Sequence, residues 1–133
     1  MEKDKKTIWI VDDSNSTRIL IKNALKSSGH NILEIATADE AIEKLKTEHP
    51  DLIITDNNTN SQQNGSDVVR AAQAKGVKVI MVSATPELNN SAIESGATAF
   101  FSKTEIGYAK RLKEVVDSIV PPSASKVTAE RSI

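Results

Sequence analysis

The chain has 133 residues, 38% apolar and 26% charged, with 17 basic against 18 acidic side chains and a formal net charge of -1. That length suits one domain with a sizeable core, and so even a balance gives no electrostatic reason to expect nucleic acid or an anionic membrane surface as a partner. Cysteine is absent, which excludes disulfides and thiol chemistry and removes any need for an oxidising compartment.

The chain opens on the charged Met1-Glu2-Lys3-Asp4-Lys5-Lys6, and the apolar run that follows is stopped at Asp12-Asp13. It is too short for the core of a signal peptide, and no stretch approaches the roughly 20 apolar residues of a membrane-spanning helix. A soluble, cytoplasmic protein is expected. Thr7–Val11 reads as a strand and residues 15–28 as a helix closed by Gly29, where a left-handed residue is commonly needed. Ile32–Ala36 is the second strand. Thr37 and Glu40 then have the spacing of a capping box, ahead of a helix over 38–48 whose Ala38, Ala41, Ile42 and Leu45 share one face.

Leu52–Thr55 is the third strand and runs into Asp56, the polar stretch Asn57–Asn64 and a helix over 65–75 that ends at Gly76. Val77–Val82 is the fourth, running into Ser83; Thr85-Pro86 then looks like an N-cap with proline at the first position of a helix over 86–95, before Gly96. Thr98–Ser102 runs into Lys103, and Leu112, Val115, Val116 and Ile119 give the amphipathic spacing of a last helix over 105–120. Pro121-Pro122 stops it. The division expected is one folded domain over 1–120 and a flexible tail or linker over 121–133, too short to be an output domain.

Strand-type runs alternating with helical ones predict an α/β fold with a parallel sheet. In such a sheet the strands end on one edge, where open α/β folds place their ligands. Asp12, Asp13, Asp56, Ser83 and Lys103 all lie at those endings. Taken singly each is ordinary: Asp12-Asp13 as a turn or capping pair, Asp56 as loop composition, Ser83 as a turn hydroxyl and Lys103 as a solvated charge. Their shared placement points to chemistry. Magnesium prefers oxygen ligands and is commonly held by one or two carboxylates, which Asp13 and Asp56 could supply. An ionised Asp56 could also attack a phosphoryl donor, with the cation and Lys103 stabilising the transferring oxygens.

Those same stretches, Ile8–Ser14 (IWIVDDS), Asp51–Asp56 (DLIITD), Gly65–Arg70 (GSDVVR), Val79–Ala84 (VIMVSA) and Gly96–Lys103 (GATAFFSK), resemble the receiver domains of bacterial response regulators, the CheY-like family. The resemblance implies a single flavodoxin-like, doubly wound sheet of order 2-1-3-4-5 with helices on both faces. It implies Asp56 as phosphoacceptor and a Mg2+ ion held by Asp12, Asp13, Asp56 and the backbone carbonyl of Asn58. Ser83 would be the switch hydroxyl, Lys103 its partner in binding the phosphoryl group, and Phe100 the rotating aromatic of the output face; either phenylalanine of Phe100-Phe101 also reads as plain core. The partners implied are a sensor histidine kinase or histidine phosphotransfer protein and a downstream protein target, with the chain a monomer or a phosphorylation-dependent dimer.

The sequence departs from the family pattern twice. Receivers commonly carry Met-Pro after the acceptor, where this chain has the one-residue-longer Asn57–Asn64, and a cis proline after the lysine, where it has Thr104. With no proline there, a trans Lys103–Thr104 bond is expected. A pseudo-receiver that binds a partner without phosphorylation is the alternative reading. A Mg2+-dependent phosphatase with an aspartyl nucleophile is disfavoured, because Asn58 stands where such enzymes carry a second acid; neither GxxxxGK[ST] nor GxGxxG occurs.

Overall fold

The computed structural model describes residues 5–122. Strands β1 (Thr7–Val11), β2 (Asn31–Ile35), β3 (Leu52–Thr55), β4 (Lys78–Ser83) and β5 (Ala99–Ser102) alternate with helices α1 (Asn15–Leu25), α2 (Ala38–Leu45), α3 (Gly65–Gln73), α4 (Asn89–Glu94) and α5 (Tyr108–Ile119). Every strand pair is parallel and the order is β2-β1-β3-β4-β5, as the resemblance implies.

Two apolar layers hold the sheet, and the period of the strands assigns each residue to one of them. Trp9, Val11, Ile53, Val79 and Met81 pack with Ala38, Ala41 and Leu45 of α2, Val68, Val69 and Ala72 of α3 and Ala92 of α4. Their neighbours Ile8, Ile10, Leu52, Ile54, Ile80 and Val82 pack with Ile21 and Leu25 of α1 and with Tyr108, Leu112 and Val116 of α5. The central strands β1 and β3 are covered on both sides, which is why they read as unbroken apolar runs.

Element ends differ from the sequence reading for identifiable reasons. β4 starts at Lys78 because the Val77 amide is already bonded to the Ala72 carbonyl in the turn that closes α3. β2 is shifted one residue earlier by its ladder with β1, in which Asn31 pairs with Thr7. The first helix tightens to a 3-10 turn at Lys26–Ser28, and the segment over 86–95 divides into a 3-10 turn at Pro86–Leu88 and the short α4, so Thr85-Pro86 does not open an α-helix. α5 begins only at Tyr108, after Gly107 at φ 78, and α2 ends at Leu45.

The capping box expected at Thr37 is half present. Thr37 Oγ1 accepts from the Glu40 N–H, but Glu40 is exposed and does not reach back; the Ala38 N–H is met from outside the helix, by Thr59 Oγ1 at 2.8 Å. The reciprocal box stands instead at Asn64 and Asp67, which start α3. At the opposite end of the sheet from the aspartates, His30 Nδ1 accepts from the Lys6 N–H at 3.0 Å while Nε2 meets the Pro121 carbonyl at 2.8 Å. Apart from Pro121 and Pro122, the segment expected to be a tail lies outside the described residues.

Gly65 opens α3 directly behind Asp56. A Cβ there would stand 2.6 Å from the Asp56 carbonyl oxygen and 2.8 Å from Asn57 Cα, both backbone atoms with little room to yield. Gly65→Ala is therefore expected to lower unfolding stability by about 1–3 kcal/mol, read from urea denaturation; an unchanged midpoint would show that the backbone behind Asp56 gives way freely.

Candidate functional site

Three of the polar residues at the sheet edge, Asp12, Asp56 and Lys103, are each fixed by a ladder bond that outlasts the strand. The Asp12 N–H donates to Ile35 O at 3.0 Å, the Asp56 N–H to Val11 O at 2.8 Å and the Lys103 N–H to Ser83 O at 2.8 Å. With β1 and β3 adjacent in register, Val11 beside Thr55, the residues that follow them must project from neighbouring points of one edge. The carboxylates of Asp12, Asp13 and Asp56 accordingly offer oxygens that all lie within 4.8 Å of one another.

Lys103 enters from β5 and bridges two of them, its Nζ 2.6 Å from Asp12 Oδ2 and 3.2 Å from Asp56 Oδ2. No peptide bond among the described residues is cis, so the trans Lys103–Thr104 bond expected without proline still aims the ammonium at the acids. Asp12 is buried to 1% exposure, and its Oδ1 accepts from the Ser14 N–H at 2.8 Å. Asp56 Oδ1 accepts from the Asn57 N–H at 2.7 Å.

Three carboxylates against one ammonium leave negative charge uncompensated. Burial, and then the neighbouring Asp12, push the Asp56 carboxyl above its usual range, and Lys103 and the Asn57 N–H only partly oppose them. Burial alone would lower Lys103, but hydrogen bonding and charge from Asp12 and Asp56 outweigh it and hold the ammonium above its usual value. A cluster of oxygen donors that still carries excess charge after pairing with Lys103 suits a hard divalent cation such as Mg2+, and Asp12, Asp13 and Asp56 are the side chains that would hold it.

Ser83 is buried at the end of β4, on the same edge, with its Oγ accepting from the Thr85 N–H at 3.1 Å rather than meeting Lys103. Phe100 and Phe101 separate by parity: Phe101 is buried in the α1/α5 layer, and Phe100 is half-buried against the layer that contains Met81 and Ala92. Asn58 uses its side-chain oxygen to accept from the Asn60 N–H at 3.1 Å.

Sequence reasoning missed four contributors. Arg18 donates to the Asp12 carbonyl and pairs with Glu34 at 3.1 Å, tying α1 to β2 beneath the site. Asn60 donates from its carboxamide to Asp13 Oδ2. Thr59 and Asp39 anchor the loop that carries Asn60: Thr59 Oγ1 takes the Ala38 N–H, and the Asp39 carboxylate takes the N–H groups of Gln63 at 2.8 Å and Gln62 at 3.4 Å. Only the loop's extra residue signalled any of this, and length alone gives no direction.

The family model for the response regulator receiver domain matches residues 8–117. The chemotaxis protein CheY of Thermotoga maritima is 32% identical over 103 residues, which are 74% of this chain and 85% of that protein. The sensory/regulatory protein RpfC of Xanthomonas campestris is 29% identical over 119 residues, 84% of this chain but 16% of RpfC, so the chain spans only a small part of that relative. The crystal structure of the T. maritima response regulator TrrA, in complex with Mg2+ and a beryllium fluoride, superposes with a TM-score of 0.74 at 26% identity, covering 86% of this chain and 98% of that one. Among the described residues no helix is long and apolar enough to cross a membrane.

Because Asp56 binds its proton more tightly in the folded protein than in the unfolded chain, its contribution to stability is complete below the ordinary value of 3.8 and is lost as pH rises through the raised folded value. Asp56→Asn cannot ionise. In metal-free buffer at pH 7 it should unfold at a higher temperature than the parent chain, and the gap should narrow as the pH falls toward 3.8 or when Mg2+ is added at pH 7. A variant that melts at or below the parent temperature at pH 7 would contradict the charge imbalance.

Proposed function

Since the chain belongs to the response regulator receiver domain family, a family of signalling switches rather than classical enzymes, we propose that it accepts a phosphoryl group on Asp56 in a Mg2+-dependent reaction and so switches its output surface. The observation that carries this reading is the convergence of Asp12, Asp13 and Asp56 within 4.8 Å, with Lys103 Nζ 3.2 Å from Asp56 Oδ2. The donor is a phosphohistidine of a sensor histidine kinase or a histidine phosphotransfer protein. An Asp56 oxygen attacks phosphorus, the P–N bond breaks, and its electron pair stays on the imidazole nitrogen.

A bound Mg2+ would supply positive charge to the acids and to the transferring oxygens. The chain's own groups do the rest. Asp12 and Asp13 would hold that cation together with Asp56 and the Asn58 carbonyl. The Asn57 N–H fixes one Asp56 oxygen, which orients the carboxylate for attack. Lys103 already lies against Asp12 and Asp56, so it needs little movement to pair with the new oxygens. Ser83, whose Oγ accepts from Thr85, turns its hydroxyl toward the phosphoryl group and draws the start of the β4–α4 connection with it. Phe100, half-buried beside α4, follows. These contacts exist only with the phosphoryl group present, so they favour one of two states by differential binding. Dephosphorylation by water, catalysed by the same residues, returns the protein to its first state.

We read residues 1–120 as the receiver and 121–133 as its tail, in a cytoplasmic protein that acts on a downstream protein as a monomer or a phosphorylation-dependent dimer. With Mg2+ and acetyl phosphate, intact-mass measurement should show a gain of one phosphoryl group that is lost in Asp56→Asn. Ser83→Ala should still be labelled but show smaller amide shift changes along β4, α4 and β5 than the parent protein. Failure of the parent chain to be modified, or labelling that persists in Asp56→Asn, would overturn the reading.

A further inference from the structure

The Asp12 and Asp56 carboxylates are each fixed by a backbone N–H and by Lys103, whereas Asp13 is exposed. Among the described residues, the donor to its carboxylate is the side chain of Asn60. An exposed aspartate that must meet two others at one point has side-chain freedom to lose, and a second residue that holds it removes that cost before a cation arrives.

Asn60 is itself held. It sits in the left-handed region at φ 56, a conformation asparagine tolerates better than most residues, and its N–H bonds to Asn58 Oδ1. On its N-terminal side Thr59 is 1% exposed and bonded to the Ala38 N–H. On its C-terminal side Ser61 Oγ donates to Gln63 O at 3.0 Å, and Gln63 is tied to Asp39. The loop is thus stapled to the start of α2 with the carboxamide facing the acids.

We propose that Asn60 is a positioning residue for the cation site, orienting Asp13 so that its free oxygen, Oδ1, faces Asp12 and Asp56. The proposal rests on the reading that these three acids take a divalent cation. A neutral donor suits this role, since an ammonium would cancel the charge that attracts the ion, while a carboxamide orients without cancelling. It occupies Oδ2 alone. Hydrogen-bond partners of metal ligands typically raise affinity 10–100-fold, and at an exposed ligand the lower end is expected.

The test uses Asn60→Gly, because glycine adopts φ 56 without strain while the side chain that reaches Asp13 is removed. Mg2+ affinity is read from amide shifts of Asp13 and Asp56 during MgCl2 titration of the metal-free chain, and loop integrity from hydrogen exchange at Ala38 and Gln63. The expected result is Mg2+ binding weakened by about 10-fold with both amides as protected as in the parent. Unchanged or tighter binding would overturn the proposal, and so would weakened binding accompanied by loss of protection, which assigns the effect to loop melting. If the parent chain itself shows no Mg2+-dependent shifts, the cation reading has failed and this one with it, an outcome distinguished by needing no variant.

Discussion

Confinement of Asp56 in a partly buried place beside Asp12, with Asp13 close by, is the constraint on which the rest of this structure depends. Carboxylates so close would ordinarily take up protons or move apart. Here Asp12 and Asp56 cannot move far, because their amides are locked to Ile35 and Val11 in a sheet covered on both faces, and Gly65 lets the α3 start close directly behind Asp56. The core therefore holds a local arrangement that is unfavourable in the bare protein, and Lys103 relieves only part of it. Strain of this kind persists where surrounding packing over-determines a site, and it leaves the site receptive to positive charge.

The fold was largely legible because the central strands are continuous apolar runs and the helices between them carry one apolar face. β1 and β3 match their predicted bounds, Thr7–Val11 and Leu52–Thr55, since the apolar run of each stops at an aspartate. Misplaced ends lie where a hydrogen bond beyond the local pattern decided the matter. Val77 looks like a strand residue by composition, but its amide closes α3; residues 105–107 suit a helix by period, yet Gly107 turns left-handed and delays α5. Parity along β5 separated Phe100 from Phe101, which composition alone could not do.

The acids and lysine of the site could be read because each terminates a strand, and the edge of a parallel sheet is a place that sequence can identify. What surrounds them could not. Asn57–Asn64 is polar throughout, so neither period nor burial pattern says which side chain turns inward. The staple between this loop and α2 joins Thr59 to Ala38 and Gln63 to Asp39, pairings across more than twenty positions that neither partner's neighbours announce. Thr37 shows the same limit. A four-residue signature located the helix start but not the acceptor for the Ala38 N–H, which a neighbouring loop supplies through Thr59 Oγ1.

His30 clasps Lys6 and Pro121 at the foot of the sheet, so both exits of the described chain emerge together on the side away from the acids. A five-residue strand such as β1 separates the two levels by roughly 15 Å. Should Asp56 accept the phosphoryl group as we propose, the change begins a full strand length from this imidazole rivet and from both exits it pins.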